Sequence, residues 1–203
     1  MHFLSYLEPK FLIETAGLLG VFFIIFAESG LFFGFFLPGD SLLFTAGFLA
    51  SQGYFSISIL VGGAVLAAIV GDTAGYAFGR KVGPKIFSRD DSLFFHKKHV
   101  VRAQRFYANH GNKTIILARF IPVVRTFAPI LAGVGAMSYG TFLKYNCIGG
   151  FLWAAGIPLV GYLLGGAIPG VDQYLLPIII MIVVLSVLPG AFHFYRSRKT
   201  EDL

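Results

Sequence analysis

Five ionisable side chains stand where the sequence is otherwise apolar: Glu28, Asp40, Asp72, Arg119 and Arg125. A charge at the centre of a bilayer costs about 2.5–3.5 kcal/mol on insertion scales. Each such group therefore needs a partner, water or a task. Arg119 and Arg125 present planar forks of N–H donors that suit phosphate oxygens. Glu28 and Asp40 are acids that can take up and release protons. Asp72 lies a turn or two of helix before Arg80, and this pair reads as support for the others, by snorkelling or by a structural contact. Two arginines with two acids suit an anion site coupled to protons. The plainer alternative is two ion pairs that pin the structure together.

Breaks in the chain position these residues. Residues 15–37 are apolar apart from Glu28, then stop at Pro38-Gly39, with Asp40 next. Residues 114–137 carry Arg119, Pro122, Arg125 and Pro129. Neither stretch makes a comfortable single span. Short apolar segments broken by Pro and Gly suggest half-helices that enter a membrane and turn back. Such backbone survives at membrane depth only when covered by protein or lining a wet cavity. Three other stretches exceed the roughly 20 residues that a spanning helix needs. They are residues 54–79, with Asp72 as their one charge, and residues 145–168 and 173–195, with no Asp, Glu, Lys or Arg.

Composition agrees. The 203 residues are 56% hydrophobic and only 13% charged, where soluble domains are nearer a quarter charged. The expected class is an all-α polytopic membrane protein. It forms one membrane domain over residues 11–195, with repeats at about 11–88 and 94–170, a C-terminal helix at 173–195 and a tail at 196–203. The formal net charge is +6, and nine Lys and Arg lie between Arg80 and Lys113. In a membrane protein such a cluster reports topology, not nucleic acid. It places that loop in the cytoplasm, with an amphipathic surface helix near Phe94–Phe106, and Arg196, Arg198 and Lys199 place the tail there too. Two spanning helices then account for the crossings after Lys113, so residues 114–137 enter and leave on one side. Residues 1–10 have no signal-peptide layout, and their side is left open.

The two broken stretches resemble each other. "FLPGDSLLFTAG" (36–47) lines up with "FIPVVRTFAPILAG" (120–133). Pro38 and Pro122 are 84 residues apart, and Gly47 and Gly133 are 86 apart. "GYAFG" (75–79) and "GYLLG" (161–165) are again 86 apart. The topology gives the halves opposite orientations, an inverted-repeat transporter plan.

Other chemistries find little support. "GRKVGPK" lacks the Gly-Lys-Ser/Thr of a phosphate loop. Asp40 and Asp72 follow "LPG" and "IVG", not the Gly-x-Gly of intramembrane aspartyl proteases. His96, His99 and His110 have no Ser-Gly-His segment and no ligand-like neighbours. No enzyme activity, metal or cofactor is expected. The sequon at Asn112 falls on the cytoplasmic side and is discounted. Cys147 reads as a small buried hydrophobe. Gly71, Gly75 and Gly79 recur every fourth residue, the spacing that lets membrane helices approach closely.

Four stretches together resemble the DedA family of bacterial membrane proteins: Glu28 followed after nine residues by "PGDSLLFTAGFLA", then "GDTAGYAFGRKVG" (71–83), "RFIPVVRTFAPILAGVGAMSY" (119–139) and "YNCIGGFLWAAGIPLVGYLLG" (145–165). The likeness covers about residues 15–170. It implies two re-entrant hairpins in inverted repeats and a role at the bacterial inner membrane linked to the proton-motive force. Members are similar to flippases that return undecaprenyl phosphate to the cytoplasmic leaflet, and distant relatives scramble phospholipids. The family's embedded acids match Glu28 and Asp40, and its essential arginines match Arg119 and Arg125. The expected function is thus a proton-coupled lipid-phosphate flippase whose partners are a membrane lipid and protons. A passive scramblase or a proton/cation antiporter is the alternative. The glycine-rich faces would also permit a homodimer.

Overall fold

Glycine, proline and helix length decide where this chain turns. A computed structural model describes residues 9–31, 34, 37–86 and 113–167. The basic segment 87–112, with the expected surface helix and the three histidines, lies outside the described residues. So do the helix expected at 173–195 and the tail. All regular structure among the described residues is helical. We label the helices α1 (Pro9–Gly30), α2 (Gly39–Ser51), α3 (Ile57–Ile86), α4 (Thr114–Ala118), α5 (Pro122–Val134) and α6 (Tyr139–Ala167).

Two helices are long and apolar enough to cross a membrane, Ile57–Val82 and Tyr139–Ala167. Protein covers less than half of the most apolar part of either. Leu66, Val70 and Phe78 on α3, and Phe151, Leu152, Val160 and Leu163 on α6, face outward. An apolar surface of that extent is a liability in water and is ordinary against lipid. Cys147 also lies on the exposed side of α6, so it is not the buried residue expected.

The shorter helices arise from local breaks. Within α1 the backbone leaves helical geometry at Gly17, where φ is 60°, a value that glycine tolerates without a Cβ clash. The continuous apolar helix is Gly17–Gly30. At 1.5 Å per residue that is about 21 Å, short of the hydrocarbon thickness. The arm ends at Gly30 and does not run on to Leu37 as the composition suggested. A Cβ on Gly30 would press into the backbone of Gly71, so the last turn of α1 lies directly on α3. Tight turns follow, with Gly34 N–H donating to Leu31 O and Leu37 N–H to Gly34 O. Pro38 then caps α2, and its carbonyl accepts from Leu42 N–H and Ser41 Oγ. α5 begins at Pro122, whose missing N–H costs nothing at a helix start. Ile121 before it is extended, as the residue ahead of a proline prefers.

The chain divides into two compact units. Among the described residues the first contains Pro38–Val61 and the end of α6 from Ile157, together with the start of α1. Here α2 is buried along nearly its whole length, as a helix apolar on all sides must be. It packs on the end of α6 through glycines. Gly47 meets the backbone of Pro158, Gly161 that of Phe44, and Gly165 meets Ser51 and Phe48.

The second unit contains Phe22–Leu37 and Gly62–Gly156. α5 packs on α3 by the same device. Gly133 meets Tyr76 and Arg80, Gly79 meets Ile130, and Gly75 meets Pro129 and Ile130. Gly71 completes the stripe by taking α1 at Phe26 and Ser29. Tyr76, Ile115, Ala132 and Phe142 form a small core, with the Tyr76 and Phe142 rings stacked at 4.6 Å. Tyr76 Oη donates to Met137 O at 2.5 Å, tying α3 to the turn between α5 and α6.

Candidate functional site

Both arginines come to one place in the second unit, and each finds a carboxylate there. Arg119 closes α4 and Arg125 stands in the first turn of α5, on either side of the break made by Pro122. Glu28, in the last turn of α1, pairs with Arg125 Nη2. Asp72, one residue past the glycine that seats α1 on α3, pairs with Arg119 Nη2. All four side chains are buried, Glu28 to 1% exposure and Arg125 to 7%. A lone charge at such depth would cost several kcal/mol, and pairing with good geometry offsets much of that. The four groups, two positive and two negative in their ordinary charge states, are neutral in sum.

The two pairs are built differently. Arg119 Nη2 is shared among Asp72, Asn146 Oδ1 at 2.9 Å and Ala68 O at 3.5 Å. Its Nε is buried and has no hydrogen-bond partner among the described residues. On the other side, Glu28 Oε2 is likewise buried without one. Buried polar atoms are nearly always satisfied, so each of these two has capacity for one more hydrogen bond.

Two further residues complete the cluster, and neither drew attention in the sequence. Asn146 is fully buried, and its Nδ2 donates to Ile69 O at 3.2 Å. Trp153 lies beneath both guanidiniums, with Arg125 Cζ 4.6 Å and Arg119 Cζ 5.6 Å from its ring centroid. Asn146, Gly149, Gly150 and Trp153 share one face of α6 at helical spacing. The available signal was that pattern, a polar residue and the chain's single tryptophan flanking a glycine pair within a charge-free span.

Of the acids in the first broken stretch, Glu28 pairs with Arg125 of the second. Arg119 takes Asp72 from α3 instead. Asp40 stands half-buried in the first turn of α2, in the first unit with Pro38 and Gly39. Arg80 is exposed and donates to Tyr76 Oη at 3.2 Å and Met137 O at 3.3 Å, serving the local core.

Comparison with known proteins fits this picture. Residues 37–163 match the VTT domain. That match includes Asp72 and both arginines, while Glu28 precedes it. Protein DedA of Escherichia coli K12 is 46% identical over 181 residues, covering 88% of this chain and 82% of the relative. An uncharacterized membrane protein of Mycobacterium leprae is 42% identical over 197 residues, covering 96% of this chain and 88% of the relative. One from Mycobacterium tuberculosis is 43% identical over 190 residues, covering 91% and 83%. No solved structure matches the chain.

Proposed function

From the premise that this chain belongs to the VTT-domain (DedA) family of membrane proteins, we propose that it carries a lipid phosphate such as undecaprenyl phosphate across the bacterial inner membrane, coupled to protons. The observation that carries this reading is the buried neutral cluster of Glu28, Arg125, Asp72 and Arg119. A phosphate entering a neutral buried site brings uncompensated negative charge. The cheapest compensation is a proton on one of the carboxylates, so anion and proton enter together.

The two pairs divide the work. Arg119 stays on Asp72 and turns its remaining N–H groups, Nε among them, toward the phosphate. Arg125 gives up Glu28 and takes a second phosphate oxygen in its place. Glu28, displaced, takes the proton. Asp40 is the second proton carrier, at the half-exposed start of α2. The hydrocarbon tail stays in the lipid, so the protein supplies a polar path for the headgroup and no bond is made or broken. This is transport, not catalysis.

The same reading takes α1–α2 and α4–α5 as re-entrant hairpins in inverted repeats. Their support is the short arms and the paired helix lengths. α2 and α5 each have 13 residues, and α3 and α6 have 30 and 29. The basic loop and the tail then face the cytoplasm.

The test is movement of labelled undecaprenyl phosphate between leaflets of liposomes holding purified protein, with and without a pH gradient. Gradient-driven movement in the wild type, abolished in Arg119→Lys, is the expected result, since lysine keeps the charge and loses the fork. Equal movement without a gradient makes the protein a passive scramblase. No lipid movement, with cation-driven proton release, makes it an antiporter.

A further inference from the structure

Exchanging Glu28 for phosphate requires both guanidiniums to stay directed at the headgroup. A guanidinium sits on a long, rotamer-rich side chain, so its direction has to be held. Another acid could hold it, but an acid would also neutralise it and occupy the donors that the phosphate needs. A neutral support avoids both problems. An aromatic face attracts a cation within about 6 Å of its centroid and uses none of the in-plane N–H groups.

The α6 face beneath the arginines has this character throughout. Trp153 is 2% exposed and reaches both guanidiniums with one ring. Asn146 presents its carbonyl to Arg119 because its amide is committed to Ile69 O. Between them a Cβ on Gly149 would crowd Ile116 Cα at 3.2 Å and one on Gly150 Ile69 Cγ1 at 3.1 Å, so the glycine pair lets α6 lie close on α4 and α3 beside Arg119. No charged residue occurs on α6 between Tyr145 and Ala167.

We propose that Trp153, assisted by Asn146, is a neutral cradle that keeps Arg119 and Arg125 aimed at the phosphate while Glu28 is released. The proposal rests on the phosphate-binding reading of the two arginines and adds to it a positioning residue that holds both. The ring contacts both guanidiniums without using an in-plane N–H group and ties the two arginines to one rigid plane. The headgroup therefore meets two forks at a fixed separation.

The test is equilibrium binding of radiolabelled decyl phosphate to the full chain in lipid nanodiscs. Trp153 is the only tryptophan, so biosynthetic replacement by mono-, di- and trifluorotryptophan alters this ring alone. Fluorine weakens the negative face while nearly preserving shape. The expected result is a Kd that rises stepwise with fluorine count, to about tenfold for the trifluorinated ring, at unchanged thermal midpoint. Trp153→Leu raises it further, and Asn146→Ala raises it less. A Kd flat across the fluorine series, with normal wild-type binding, overturns the cradle and leaves the phosphate site standing. A Kd that follows loss of thermal stability instead of fluorine count also overturns it, because that is what a space-filling tryptophan would do. Absence of wild-type binding overturns both readings together.

Discussion

Two helix pairs in this molecule are packed alike and charged differently. In the first unit α2 lies on the end of α6 through Gly47, Gly161 and Gly165. In the second, α5 lies on the end of α3 through Gly133, Gly75 and Gly79. The glycines correspond one to one in the repeat. The charges do not. Phe35 and Ser41 precede Arg119 and Arg125 by 84 residues, and Pro158 follows Asp72 by 86. Where the second unit pairs Asp72 with Arg119, the first has a proline whose backbone meets Gly47. Close packing is therefore a property of the glycine scaffold alone, and the ion cluster is a separate layer set on one copy of it. A chain carrying an expensive buried cluster needs it once, whereas it needs the helix contact twice.

Changes to the charges and changes to the glycines should thus separate. The largest effect is expected for Glu28→Ala, which removes a carboxylate paired with buried Arg125. It should cost about 3–5 kcal/mol, read as a fall in the thermal midpoint of purified protein. If the single variant is as stable as the wild type, the cluster is not a buried layer at all.

Next come Gly47→Ala and Gly133→Ala. In both, the added methyl meets the backbone of the partner helix, and overpacking of this kind costs about 1–3 kcal/mol. Similar losses from the two would sharpen the equivalence. A loss from one alone would break it.

Asp40→Asn should be milder in stability, below about 1 kcal/mol, because the side chain is half-buried. Gradient-driven lipid movement should nevertheless fall away, and unchanged coupling would remove Asp40 from the proton path. The smallest effect belongs to Gly156→Ala. No atom lies within 4 Å of a Cβ there, so the variant should gain roughly 0.5–1 kcal/mol from helix propensity and should leave transport untouched.

Much of this was legible from residue types. A carboxylate or guanidinium in an apolar run is too costly to be incidental, which singled out Glu28, Asp40, Asp72, Arg119 and Arg125 before any geometry. Pro122 and the Pro38-Gly39 step marked helix starts, because proline lacks an N–H and restricts the residue before it. The glycine stripe on α3 marked a close helix contact, which the structure assigns to α1 at Gly71 and to α5 at Gly75 and Gly79. The end of α1 was misplaced because residues 31–37 are as apolar as those before them. Composition cannot show a stop that is imposed when Gly30 seats on Gly71.

Charge and hydropathy, read along the chain, determined that this is a helical membrane protein, where its backbone breaks and which buried ions need partners. Those are local properties, set by side-chain solvation and backbone sterics within a few residues. Which partner each ion takes was decided only in three dimensions. Glu28 and Arg125 are 97 residues apart, and Asp72 and Arg119 are 47 apart. Any acid satisfies any arginine equally well in sequence. The choice falls to the glycine contacts that seat α1 and α5 on α3. Asn146 and Trp153 were silent for the same reason, since a neutral side chain has no cost that announces it until a cation is packed against it.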